Sequence, residues 1–276
     1  MPISAHGGSE INHPLIVMPY SQSVSRWCFG DYSLEKLAER AANIGLKGID
    51  LLHPQEVSAI RPFGLSCPVT AAPEHESGIG CIERAFNHRE HHDTLYKIYQ
   101  ELIPAAAEAD IPNVITFSGN REGISDQQGL DNCLLGLEKI LPLAEEHNVV
   151  LVMELLNSKI DHPDYQCDHT DWGVELCRKI GSPRFKLLYD IYHMQVMEGD
   201  VISTIRENVQ YLAHFHTAGV PGRNELGSDQ ELNYPAIAKA LASTGYSGFV
   251  GHEFIPTAPD PFSSLSEATQ AWTQQL

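Results

Sequence analysis

Short apolar runs punctuate the chain, and four of them deliver an acidic or imidazole side chain at their ends: Glu154 in VVLVMELLN, Asp190 in FKLLYDIYH, His216 in YLAHFHTAG and Glu253 in GFVGHEF. Runs such as 149–153 and 186–189 are rich in β-branched or large apolar residues and too short for independent helices, so they are read as buried strands. Four more candidates precede them, at 21–27, 48–52, 64–70 and 113–118. Between the runs the period becomes helical. SLEKLAERAANIG is predicted as a helix with Ser33 as its N-cap and Gly45 as its stop. Further helices are predicted over 88–110, 130–147, 170–180, 200–209 and 234–244. The connection 71–87, with Gly78, Gly80 and Cys81, and the polar segment GNREGISDQQG are expected as loops. A loop as long as 71–87 in a compact domain is usually functional.

Strand–helix alternation implies parallel strands with right-handed crossovers. Eight units favour closure into a (β/α)8 TIM barrel over an open doubly wound sheet. No repeat, low-complexity tract or linker interrupts the pattern, so residues 1–276 are expected to form a single TIM-barrel domain. Within it, 1–19 would be an N-terminal extension and 257–276 a tail packed outside the barrel or capping its bottom.

In such a barrel the C-terminal strand ends converge on one face, where catalytic groups gather. The intervals of 36, 26 and 37 residues from Glu154 to Asp190, His216 and Glu253 each match one β/α unit, so the four residues occupy equivalent positions. Three carboxylates and one imidazole meeting there would repel one another without a cation between them. One divalent metal ion, Mn, Mg, Co or Zn, suits this O3N set and leaves positions open for substrate oxygens. Singly, each residue could instead cap a helix or pair with a neighbour, as Glu154 could with Lys159. Four such coincidences at one spacing are a weaker explanation than a metal site.

Charge and cysteine usage narrow the partners. The chain carries 18 Lys and Arg against 36 Asp and Glu, a formal charge of −18. That field repels phosphate backbones, so no nucleic acid partner is expected. No apolar stretch approaches a bilayer span and no secretory signal is evident, so no membrane partner is expected. Cys28, Cys67, Cys81, Cys133, Cys167 and Cys177 form no C-x-x-C or zinc-finger spacing, consistent with a reduced, cytoplasmic protein.

Residues near the four candidate ligands add detail. His193, on a loop expected just past the sixth strand, could point back at a bound substrate or simply cap a helix. Arg223, in VPGRNE, offers a planar fork suited to a carboxylate or a vicinal diol. His214 shares the interior face of its strand with His216 and either touches the ligands or packs in the core. Lys159, Tyr165 and His169, in the segment after strand five, could reach substrate. Trp27 and Phe117 are expected as core residues, and His88, His91 and His92 on a solvated helix.

The stretches MELLNSKIDHPDYQCDH, LLYDIYHMQ, HFHTAGVPGRNELG and ELNYP…GHEF resemble the hydroxypyruvate isomerase family within the xylose isomerase-like TIM barrels, with the ketose 3-epimerases as near relatives. The resemblance spans roughly residues 20–260. It implies that Glu154, Asp190, His216 and Glu253 bind one divalent metal, that Glu154 and Glu253 are the catalytic acid/base pair, and that His193 and Arg223 contact substrate. His214-Phe215-His216 stands where the best-known hydroxypyruvate isomerases have H-x-Q, and His at the third ligand looks more like the epimerases. The implied reaction is proton transfer through an enediolate, as in conversion of hydroxypyruvate to tartronate semialdehyde. A ketose 3-epimerase and an inosose-type dehydratase are the alternatives. An endonuclease IV-like phosphodiesterase or a non-catalytic sugar-binding barrel is more distant, because the first needs a basic surface and further ligands on early strands. The partner is then a small sugar or hydroxy-keto acid, with a homodimer or homotetramer as the candidate assembly.

Overall fold

The computed structural model describes residues 19–73 and 75–273. All of the expected N-terminal extension but Pro19, and the last residues of the tail, lie outside that range. Among the described residues there are eight strands: β1 (Ser21–Ser25), β2 (Gly48–Asp50), β3 (Val69–Thr70), β4 (Asn113–Thr116), β5 (Val150–Glu154), β6 (Phe185–Asp190), β7 (Leu212–Thr217) and β8 (Phe249–His252). They pair in the order β2-β1-β8-β7-β6-β5-β4-β3, and every pairing is parallel. The seam between β2 and β3 is crossed by a Gly48–Ser66 bridge and by the Leu51 N–H, which donates to the Val69 carbonyl at 2.8 Å. The result is a nearly closed TIM barrel.

The third strand, expected over 64–70, is only two residues long. Gly64 ends a 3₁₀ turn at φ +73°, and Pro68 has no N–H to give to a ladder. Gly48 is required opposite that proline, since a Cβ there would lie 2.8 Å from Pro68 Cδ.

Around the sheet run α1 (Leu34–Ile44), α2 (Val57–Ile60), α3 (His92–Glu108), α4 (Asp126–Glu146), α5 (Thr170–Ile180), α6 (Ile191–Met197), α7 (Val201–Asn208), α8 (Tyr234–Ser243) and α9 (Pro261–Ala271). Helix α1 has the expected ends: Ser33 accepts from the Lys36 N–H, and Gly45 stops it at φ +103°. Helix α4 starts inside the segment expected as a loop, because Ser125 accepts from the Gln128 N–H and caps it. Helix α6 is absent from the sequence expectations. Asp190 closes β6 and at once caps α6 by accepting from the His193 N–H at 3.1 Å, so His193 sits on a helix rather than a loop.

His91 and His92 are buried, not solvated. Their rings meet the Ala85 and Phe86 carbonyls at 3.2 and 2.8 Å. The tail residues of α9 pack outside the barrel beside α1 and α8, with Trp272 edge-on to Tyr20 at 5.7 Å. No helix among the described residues is long and apolar enough to cross a membrane.

One carboxylate ties two barrel loops together. Glu225, in the β7–α8 connection, accepts from the Thr257 N–H and hydroxyl, the Ala258 N–H and the Ser264 hydroxyl at 2.6–3.1 Å. Burial pushes its pKa up, but these donors outweigh it and hold Glu225 down at about 2. A carboxyl depressed by folding stabilises above its unfolded value and loses that contribution as pH falls through the folded one. Glu225→Gln should therefore lower stability by about 1–2 kcal/mol at neutral pH, with the deficit against the parent closing between roughly pH 4.5 and 2. Urea titrations of both proteins across that window check it; a deficit independent of pH would remove the charge from the explanation.

Candidate functional site

The ends of β5, β6, β7 and β8 bring Glu154, Asp190, His216 and Glu253 together as the sequence predicts. One ligand atom of each lies within 4.8 Å of the others, and all four residues are buried. Adjacent strands are in step here: Asp190 pairs with His216, and His216 with Gly251 two residues before Glu253. A bulge supplies that register. Leu187 pairs with Leu212 but Leu188 with His214, leaving Ala213 extra in β7. The Ala213 carbonyl takes the Tyr246 hydroxyl at 3.0 Å.

His216 Nδ1 lies 3.2 Å from Glu253 Oε2 and 3.5 Å from Glu154 Oε1, buried and without a hydrogen bond. Burial disfavours the charged imidazole, yet Glu253 and the Asp50 and Glu154 carboxylates around it push His216 well above the usual range. Asp190 moves up to about 7, driven by burial and held back by the Arg223 guanidinium. Burial would also raise Glu253, but His216 and Arg223 hold it well below an ordinary carboxyl. A buried, unbonded imidazole nitrogen beside two glutamates, with the Asp190 carboxylate in the same cluster, suits a hard-to-borderline divalent cation. The chemistry of the donors and the orphaned nitrogen thus both fit such an ion.

Arg223 lies on the β7–α8 connection with its Nη2 at 2.6 Å from Glu253 Oε2 and 3.8 Å from Asp190 Oδ2. Its guanidinium is 5.2 Å from the Trp27 ring centre and 5.6 Å from that of Tyr192. Nε is buried without a partner. Trp27 is not a core residue as expected. It is 44% exposed and its Nε1 donates to Glu253 Oε1 at 2.8 Å, so Trp27 and Arg223 hold one oxygen each of that glutamate.

His193 faces the same space. Its Nδ1 accepts from the Asn157 backbone N–H at 3.2 Å, which places the ring proton on Nε2. That nitrogen is buried without a partner, 3.7 Å from Asp190 Oδ2. Burial and the Arg223 charge keep the imidazole well below its usual basicity. Asn157 also gives its amide to Asp161, which takes the Tyr192 hydroxyl at 2.8 Å.

Three other candidates make the following contacts. Lys159 is exposed and donates to the Val196 and Met197 carbonyls at the end of α6, at 2.8 and 3.1 Å, rather than reaching toward the four ligands. Tyr165 is buried, with its hydroxyl on the Glu154 carbonyl at 3.0 Å. His169 leans on Asp168 at 2.8 Å. Phe117 is core, as expected. Two residues that the sequence does not single out also adjoin the ligands: Asp50, whose Oδ2 lies 3.4 Å from His216 Nε2, and Gly251, where a Cβ would lie 2.1 Å from the same oxygen. Asp50 ends the short apolar run of β2 as the four ligands end theirs, a signal open to the same reading. Trp27 carries no such signal.

The profile of the xylose isomerase-like TIM barrel family matches residues 29–275. A human protein named "Putative hydroxypyruvate isomerase" is 36% identical over 133 residues, 48% of this chain and 47% of that protein. The chain thus matches about half the length of that relative. The hydroxypyruvate isomerase of Escherichia coli (strain K12) is 25% identical over 240 residues, 83% of this chain and 90% of its own. Among solved structures, an AP endonuclease, family 2, from Brucella melitensis has a TM-score of 0.78 at 22% identity, covering 90% of this chain and 98% of that one. D-psicose 3-epimerase from Clostridium cellulolyticum H10 has a TM-score of 0.76 at 14% identity, covering 93% and 100%. At those identities the structures speak for the fold alone. The family match extends over nearly the whole length and carries the strands bearing all four converging side chains, so the chain belongs to the xylose isomerase-like TIM barrel family.

Proposed function

We propose that this protein is a divalent-metal-dependent isomerase of a small α-hydroxycarbonyl acid, related in reaction to hydroxypyruvate isomerase. The observation that carries the reading is the pair of buried glutamates, Glu154 and Glu253, delivered by different strands to one cluster with Asp190 and His216. The names of the relatives support the reaction class. Glu154, Asp190, His216 and Glu253 would hold the cation, which when bound supplies Lewis-acid stabilisation of charge developing on the substrate oxygens.

The chain's own groups account for the rest. One glutamate takes the proton α to the carbonyl, the substrate's hydroxyl proton passes to the former carbonyl oxygen, and the other glutamate returns a proton at the neighbouring carbon, which interconverts the two α-hydroxycarbonyl isomers through an enediolate. Trp27 and Arg223 each occupy an oxygen of Glu253, which fixes the carboxylate's plane before substrate arrives. His193 offers its Nε2 proton to a substrate oxygen as a donor. Arg223, with an unpartnered Nε, suits the carboxylate of a 2-oxo acid. A ketose 3-epimerase is the second reading, favoured by His216 at the third ligand position. The two differ in where the proton returns.

Purified protein should carry about one Mn, Mg, Co or Zn ion per chain, removed by a chelator together with activity. Asp190 is raised to about 7 and His216 well above its usual range, so both give up protons to the cation, and affinity should rise as pH increases through about 7 and go on rising above it. Calorimetric titration of the stripped protein at several pH values checks both; absence of binding at pH 8 would overturn the cation site.

Incubation of the loaded protein in D2O with hydroxypyruvate, ketoses and inososes, followed by NMR, should show α-proton exchange and isomerised product for a 2-oxo acid. Deuterium at C3 of a ketose with inverted configuration would favour the epimerase. In Glu253→Gln, turnover should fall roughly 100- to 10,000-fold while some metal remains bound; near-parental turnover would remove Glu253 from the acid/base pair.

Arg223→Met should raise KM for the 2-oxo acid by roughly 30-fold, about 2 kcal/mol, and by clearly less for a neutral ketose. Equal changes for both substrates would take carboxylate binding away from Arg223.

A further inference from the structure

We propose that Asp50 is the positioning residue that turns His216 Nδ1 toward the cation, by holding the ring through its opposite nitrogen; this rests on the cation reading above. Asp50 ends β2, across the barrel from β7, and is fully buried. Its Oδ2 hydrogen-bonds His214 Nε2 at 2.8 Å, and His216 Nε2, buried without a hydrogen bond, faces the same oxygen at 3.4 Å. The rings stand edge to face at 88° with centres 5.1 Å apart, which lets both edges reach it. Gly251 makes the space: a Cβ there would come within 2.1 Å of Asp50 Oδ2 and 2.9 Å of His216 Cδ2.

The consequence for His216 is a fixed orientation and tautomer. A carboxylate on the Nε2 side favours keeping the proton there, so the proton that His216 gives up to the cation is the one on Nδ1, toward Glu154 and Glu253. Asp50, His214 and His216 also present donor atoms within 4.8 Å of one another. A second cation among them would have to displace the proton of the 2.8 Å His214 contact and make His216 a bridging imidazolate. The His214 hydrogen bond and the 3.4 Å His216 contact require neither.

The test compares wild-type protein with Asp50→Asn by Co2+ titration, read in the visible spectrum and by calorimetry, with circular dichroism and thermal melts beside it. The amide keeps the size but loses the charge that faces both imidazoles. Wild type should bind one Co2+, and the folded variant should bind it roughly 10- to 100-fold more weakly with an altered visible spectrum. Equal affinity within about twofold in a folded variant would overturn the proposal. So would two Co2+ per wild-type chain falling to one in the variant, which would make Asp50 a ligand. Wild type that binds no Co2+ would overturn the cation reading, and this inference with it. Should Asp50→Asn fail to fold, 15N spectra of the zinc-loaded wild type decide: His216 should carry its proton on Nε2, and a proton on Nδ1 would overturn the assignment.

Discussion

Three carboxylates buried in one cluster are the constraint around which this barrel is organised. At an effective dielectric constant near 20, two like unit charges about 4 Å apart repel by roughly 4 kcal/mol, and burial adds a desolvation cost for each. The protein answers with two positive groups placed among them. His216 sits between Glu154 and Glu253, and Arg223 spans Glu253 and Asp190. The raised Asp190 is what that balance leaves uncompensated. Such a cluster is costly to keep for stability alone, and the family setting gives it a use: a ready site for a divalent cation with acid/base groups already in place.

The scaffold sustains the cluster by fixing it from several sides. Adjacent strand ends set spacing through the hydrogen-bond ladder, and the Ala213 bulge brings Leu188 opposite His214 and Asp190 opposite His216. Asp190 acts twice, since it both faces the cluster and starts α6, which aims His193 at the same space. The β7–α8 connection carries Arg223, and Glu225 pins that connection to the segment after β8. Trp27 then joins β1 to Glu253, so groups from five strand ends bear on one carboxylate cage.

Much of this is legible in the sequence because the relevant signal is periodic. Apolar runs that end on Glu154, Asp190, His216 and Glu253 at intervals near one β/α unit specify both a parallel barrel and a shared face. Caps are equally readable, as Ser33 and Gly45 around α1 demonstrate. What escapes depends on long-range geometry. Lys159 looks free in a polar segment, but its reach ends on the α6 carbonyls. Trp27 reads as core because an indole after a strand usually is, and only the fold puts its N–H beside a glutamate 226 residues away. His91 and His92 read as solvated because imidazoles are polar, whereas two carbonyls in the turn before α3 give them buried partners. Helix α6 is too short to announce itself by period.

The central claim is that these four side chains form one cation site, and anomalous diffraction tests it most directly. Crystals of protein loaded with Mn2+, measured where manganese scatters anomalously, should show one strong peak within ligand distance of Glu154, Asp190, His216 Nδ1 and Glu253. A peak elsewhere, or none at this cluster under saturating Mn2+, would contradict the account.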